Sequence, residues 1–241
     1  MSLLHIHLVL EGLFLTVAGI SDIRTREIDD IVWIAGAAVI GPLLLYELYE
    51  GLVNAALYVA AAGLGVVMAA ALLYSGAMGE ADAIEVAFIS LLTPPAGFSV
   101  CVFPVISVFV DSLPFIAAYA LYNVFLNYSR LRGRDAFRGY QVGLAEKLLA
   151  YIALRHVDRD EYRRKRYMYG PATVVENGVK KLRFTLTLEE GGDLEGGWVV
   201  VYLPQVALLA AGFIVYAFLV AAGMGGCMLD PVFSRAVRAG I

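Results

Sequence analysis

The chain is poor in most of what a soluble catalytic domain is built from. Only 17 % of its 241 residues are Asp, Glu, Lys or Arg, against about a quarter in ordinary soluble domains. That shortage excludes a disordered protein and an ordinary cytosolic enzyme. Cysteine is nearly absent: Cys101 and Cys227 both sit in apolar stretches without C-x-x-C spacing. This excludes a disulfide scaffold and a zinc site of that kind, and the pair reads as two buried small hydrophobes. His5, His7 and His156 are too scattered to suggest a metal site. Glu27, Asp29, Asp30 and Glu80 match no calcium- or magnesium-loop spacing. Asn and Gln number six together, a scarcity compatible with a hot environment. The first 20 residues lack a basic leading region and an A-x-A site, and they carry His5, His7 and Glu11. They read as a retained helix and not a cleaved signal.

What the chain has instead is apolar length. Sixty per cent of the residues are hydrophobic, which points to an integral membrane protein. A helix needs about 20 apolar residues to cross the hydrocarbon. Leu3–Ser21, Ile31–Tyr46, Leu52–Ser75 and Trp198–Leu229 are such runs, the first interrupted only by Glu11. Val86–Val110 is also uncharged, but Thr93-Pro94-Pro95-Ala96-Gly97 breaks it, since two prolines and a glycine do not continue a helix. That region splits into a short helix, 82–93, and a long one, 103–128. The expectation is an all-α polytopic membrane protein with six transmembrane helices. Helices one to five would occupy 1–128, a soluble insert 129–200, and helix six with a tail 201–241.

Charge orients the spans. Residues 129–200 hold 14 Lys/Arg against 10 Asp/Glu, a net +4 in a chain whose total is −4. With the N-terminus outside, all basic residues except Arg235 and Arg238 fall on one side. The positive-inside rule therefore predicts N-out and C-out. It gathers Ser21–Asp30, Ser75–Asp82 and the insert at the cytoplasmic face. The insert reads as a small α+β domain between helices five and six. Gln141–Met168 has helical character, and Thr173–Glu176 with Val179–Leu188 flank Asn177-Gly178, a two-residue hairpin signal. Trp198–Leu203 is a candidate third strand. Arg163-Arg164-Lys165-Arg166 reads as a solvated or lipid-facing surface beside the bilayer, not a nucleic-acid site.

Two acidic residues stand out by position. Asp22 closes span one and Asp82 opens span four, both at the cytoplasmic side. Small residues before Asp82, from Ser75 to Ala81, let helix ends approach closely. Span four is too short to cross alone, so either the bilayer thins there or Asp82 lies below the surface in a water-filled cleft, where it needs a partner. Asp22 is the candidate partner. Two adjacent carboxyls share one proton: the charged one takes a proton from water, and the protonated one polarises a carbonyl. The plainer reading makes Asp82 the N-cap of span four, and Asp29 or Asp30 that of span two. Glu85 shares the face of Asp82 one turn on. Glu11 and Asp111 read as hydrogen-bonded polar groups inside the bundle.

These residues resemble a known family. Asp22-Ile23-Arg24-Thr25-Arg26-Glu27-Ile28-Asp29-Asp30, with Trp33 in the following span, is similar to the first signature of type IV prepilin peptidases. The similarity is strongest to the archaeal preflagellin peptidases. Gly79-Glu80-Ala81-Asp82 resembles the second signature, G-x-G-D, with Ala81 in place of the second glycine. Ile84 stands where many relatives have Lys. The cysteine pairs and N-terminal domain of the bacterial enzymes are missing, so methyltransferase activity is not implied. The resemblance implies an aspartic endopeptidase acting at the cytoplasmic membrane border. Its substrates would be preflagellin (archaellin) or pilin-like precursors with short class III signal peptides.

Asp22 and Asp82 carry over as the catalytic pair, with Gly79 as the motif glycine. Glu80 and Glu85 are expected, with Gly79, to meet the basic precursor. Glu27, Asp29 and Asp30 add to the same acidic field. Small-residue faces such as Ala60-Ala61-Ala62-Gly63 offer a dock for the precursor's hydrophobic helix. Two carboxyls and water suffice for this chemistry, so no metal or cofactor is expected. Two other readings stay open. One is a proton-coupled transporter subunit using Glu11, Asp22, Asp82 and Asp111. The other is a membrane scaffold whose insert recruits a partner. A presenilin-like protease is disfavoured, because nine spans and a Y-D motif are missing.

Overall fold

The computed structural model describes residues 2–96, 100–132, 136–176, 179–184 and 197–229. The chain divides into two compact units, Met1–Phe115 with Pro204–Ile241, and Ile116–Leu203.

The first unit is a helical bundle. α1 (Leu3–Thr25), α2 (Asp30–Tyr49), α3 (Ala55–Tyr74) and α5 (Pro104–Leu131) are long and apolar enough to cross a membrane. The last of these runs on into the second unit. α4 (Glu80–Leu92) has 13 residues and α8 (Gln205–Ala221) has 17. At 1.5 Å per residue these measure about 20 and 26 Å, short of a hydrocarbon core of about 30 Å. Among the described residues, four helices have the length of full spans, and the other two expected spans are shorter. The uncharged run from Trp198 is divided by Pro204: its first part is a strand, and of the remainder only Gln205–Ala221 is helix.

Local chemistry explains the ends. Asp29 caps α2, its Oδ1 accepting from the Ile31 N–H at 3.0 Å, as one of the two plainer readings had it. Asn54 caps α3 through Leu57 N–H. α1 closes on Arg26, whose φ of 60° is left-handed. Small residues set how closely the helices approach. A Cβ on Gly65 of α3 would overlap the Ser90 side chain of α4, and one on Gly19 of α1 would lie 3.0 Å from Ala207 Cα of α8. Leu15, Ile40, Val86, Phe213 and Tyr216 fill the interior. Ala61 and Ala62 are buried within the bundle, whereas Ala60 and Gly63 are exposed.

The cysteines are not separate hydrophobes. Cys101 and Cys227 form a disulfide with Cα atoms 5.8 Å apart. The apolar surroundings reported burial but carried no sign of pairing across 126 residues.

The second unit holds α6 (Leu144–Ala153), β1 (Leu154–Val157), α7 (Arg159–Arg164), β2 (Tyr169–Pro171), β3 (Thr173–Glu176), β4 (Val179–Leu182) and β5 (Gly197–Val201). The hairpin strands pair antiparallel as β3–β4. Asn177-Gly178 and the extension to Leu188 fall at or beyond the edge of the described residues. The third strand does not extend that hairpin. β5 is the centre of a separate sheet ordered β1-β5-β2. β1 and β2 arise in and just after the stretch with helical character, because Val157, Tyr169, Val199 and Val201 close a core there with Tyr162. Burial on a shared sheet outweighs local helical preference. Trp198, fully buried, stacks on Phe137 and donates its indole N–H to the Ala136 carbonyl at 3.0 Å.

Candidate active site

One helix end and two helix starts meet at one end of the bundle. α1 carries Asp22 one turn before its C-terminus, where the side chain is buried at 8 % exposure. α8 begins against it, and the Ala207 N–H donates to Asp22 Oδ2 at 3.3 Å. Val206 N–H is a second backbone donor to the same carboxyl. Both amides belong to the first turn of α8, where no helical carbonyl is available to them. A carboxylate there also meets the positive end of the helix dipole. Arg26 folds back from the C-cap, its Nη1 at 3.4 Å from Asp22 Oδ1. Asp22 is thus held by two amides and a guanidinium.

Asp82 approaches from α4. It is not the N-cap: Gly79 occupies that position, and Asp82, three residues on, accepts the Gly79 N–H on Oδ2 at 3.2 Å. The motif glycine and the motif aspartate are therefore joined directly. A Cβ on residue 79 would sit 3.3 Å from that same oxygen. Asp22 and Arg26 are near enough for their charges to act on Asp82, though neither is hydrogen-bonded or ion-paired to it. Glu85, one turn further, is fully buried with neither carboxyl oxygen hydrogen-bonded, and it feels both aspartates. It meets the pair from the interior of the bundle. Glu80, by contrast, is exposed at the start of α4, as are Glu27, Asp29 and Asp30 at the α1–α2 turn.

Two features of this centre were not singled out from sequence. Arg26 could have been found from its i, i+4 spacing to Asp22. The start of α8 could not, because nothing local to Pro204–Ala207 advertises a carboxylate 185 residues earlier.

A second polar cluster lies toward the opposite end of α1. His7 Nδ1 meets Glu47 Oε2 at 2.8 Å, and Nε2 donates to the Leu92 carbonyl at 2.8 Å. The Thr93 hydroxyl donates to Glu11 Oε1 at 2.6 Å. Asp111 Oδ1 accepts the Met228 N–H at 2.9 Å. Glu11 and Asp111 are therefore hydrogen-bonded inside the bundle, as expected. Among the described residues no group of three or more His, Cys, Asp or Glu is arranged to hold a metal ion.

A bundle of membrane-length helices with acidic residues at the end of α1 and the start of α4 belongs to the class of membrane proteins. Residues 9–127, which include Asp22, Gly79, Asp82 and Glu85, match the type IV leader peptidase family. The chain is a member of that family, and with it a membrane protease of the leader-peptidase kind. None of the curated proteins compared with the chain matches it.

Proposed function

We propose that the chain is an aspartic endopeptidase that removes the short class III signal peptide from preflagellin-like or pilin-like precursors. The observation that supports this reading is the place of Asp22, at the end of α1 against the start of α8, and of Asp82, in the first turn of α4, both inside the family-matched segment. The surroundings divide the labour between them. Two amides and a direct ion pair with Arg26 compensate negative charge at Asp22, whereas Asp82 has a single amide and feels Arg26 only beyond ion-pair distance. Asp22 is then the carboxylate that takes a proton from water, and Asp82 the carboxyl that gives its proton to the scissile carbonyl oxygen. The water oxygen bonds to the carbonyl carbon. The resulting diol collapses as one hydroxyl returns its proton to Asp82, the C–N bond breaks, and the amine leaves with the proton that Asp22 returns.

The exposed Glu27, Asp29, Asp30 and Glu80 form an acidic rim suited to the basic segment ahead of the cut. Gly79 leaves room at the start of α4, and Glu85 backs the pair from within. The hydrophobic helix after the cut has a track in the apolar groove of about 330 Å³ between α1 and α8, beside Gly12, Thr16 and Phe213. Disulfides form on the oxidising side of a membrane, and Cys101–Cys227 follows the ends of α4 and α8 distant from the aspartates. That supports a cytoplasmic active site, with both termini outside.

The test is cleavage of a preflagellin-like precursor by the solubilised protein beside Asp22→Asn and Asp82→Asn, each checked by thermal unfolding. Each folded variant is expected to lose roughly 10²-fold or more of the rate. Cleavage that survives either substitution would overturn the two-carboxylate reading. Absence of wild-type cleavage of any class III signal would shift the assignment to a transporter or scaffold.

A further inference from the structure

Helix α6 wears its apolar side outward. Ala150 is fully buried and Tyr151 packs edge-on against Trp198, while the Lys147 ammonium lies over the Phe137 ring. These residues make up the inner face. On the other side Leu144, Leu148, Leu149 and Ile152 are 77, 60, 50 and 46 % exposed. At 100° per residue those four occupy a single arc opposite Ala150. A helix on a water-bathed domain shows the reverse pattern.

The height of α6 is set by α5. Asn127 Nδ2 donates to the carbonyls of Tyr151 at 3.1 Å and Leu154 at 2.7 Å, and Asn123 Nδ2 donates to that of Ile152 at 3.2 Å. Both asparagines are buried. The 28 residues of α5 span about 42 Å, roughly 12 Å more than the hydrocarbon core. Its last two turns, from about Asn123 onward, therefore emerge at the headgroup level. Leu121 and Tyr122 just before that point, and Phe125 and Tyr128 beyond it, are all more than half exposed, the mixture of aliphatic and aromatic groups found at a membrane interface. The exposed face of α6 is stitched to the same level and continues that surface. Around it the segment 129–200 is basic, with 14 Lys/Arg against 10 Asp/Glu, which complements an anionic leaflet.

We propose that α6 is an interfacial helix: its Leu144, Leu148, Leu149 and Ile152 face inserts into the headgroup–acyl boundary beside the C-terminal turns of α5, anchoring the insert to the bilayer. This inference does not depend on the peptidase chemistry. Amphipathic helices of this kind bind by buried apolar area together with charge.

The test uses the full chain reconstituted in bilayers of phosphatidylcholine and phosphatidylglycerol. Leu148→Trp places a reporter on the apolar arc, and Asp160→Trp places one at an exposed position of α7. The wild-type signal of Trp33 and Trp198 is subtracted. The expected result is a blue-shifted Leu148→Trp emission, quenched by lipid brominated in the upper acyl chain and shielded from aqueous acrylamide. Asp160→Trp should show the opposite behaviour. Should Leu148→Trp fail to fold, Leu144→Trp reports on the same arc. Acrylamide quenching equal to that of Asp160→Trp would overturn the proposal. So would shielding from both quenchers, which would mean that a protein surface covers the face.

Discussion

The Ala207 N–H points at the Asp22 carboxylate from 3.3 Å, so the start of the last described helix completes the environment of an acid near the end of the first. The approach rests on Gly19, one turn before Asp22, where a Cβ would lie 3.0 Å from Ala207 Cα. Gly19→Val should push α8 away while leaving both aspartates in place. A misplacement of about 1 Å at a catalytic group costs up to roughly 10²-fold. Precursor cleavage by folded Gly19→Val is expected to fall by at least about tenfold, with Gly19→Ala intermediate. Gly63, with nothing within 4 Å of a built Cβ, is the control position. Equal activity of the Gly19 and Gly63 variants would show that the α8 amides do not matter to the reaction.

The contact between α3 and α4 has a similar basis. Because a Cβ on Gly65 overlaps the Ser90 side chain, Gly65→Ala should lower stability by about 1–3 kcal/mol, the usual cost of overpacking. Ser90→Gly removes the obstructing atoms and should restore part of the loss in the double variant. A thermal-unfolding cycle of the two single variants and the double measures this coupling. Additive losses would show that the two positions do not meet.

The disulfide closes a separation of 126 residues. Replacing both Cys101 and Cys227 by Ala should cost about 2–5 kcal/mol. Thermal unfolding with and without a reducing agent provides the check. Reductant should lower the melting temperature of the wild type and leave that of the double variant unchanged. An identical response in both would mean that the cysteines are not paired.

His7 separates structure from chemistry. It lies 15 residues before Asp22 on α1, about 22 Å away along the axis. Its two ring nitrogens satisfy Glu47 and the Leu92 carbonyl in a fully buried position. His7→Leu leaves both partners without it and is expected to cost roughly 2–5 kcal/mol. Cleavage per folded molecule should remain close to wild type. A folded, stable His7→Leu protein without activity would place this cluster in the reaction and favour a proton path across the bundle.

Much of this organisation was legible in the order of residues. Apolar length announced the membrane helices, and Thr93-Pro94-Pro95 marked the break between α4 and α5. A cap for α2 was legible as Asp29 or Asp30, and the structure chose Asp29. Asp22 and Asp82 stood out because an acid at the edge of an apolar run needs a reason to be there. These signals act within a few residues: hydropathy, a cyclic imide, a side chain reaching its own next turn. The Asn177-Gly178 hairpin belongs to the same class, and its flanking strands formed as β3 and β4.

The tertiary structure alone decided the rest. It made a disulfide of two cysteines that read as isolated hydrophobes. It divided the run from Trp198 into the central strand of a sheet and a short helix. It drew β1 from a helical-looking stretch, since Leu154 and Val157 gain more from burial against β5 and its neighbours than from continuing α6. It also set Glu85, expected beside Asp82 to meet the precursor, fully inside the bundle, and it set the start of α8 against Asp22. Each of these outcomes depends on surfaces that meet across tens to nearly two hundred residues, where no local preference carries the information. The acids were visible in the sequence; what holds them depends on how the helices pack.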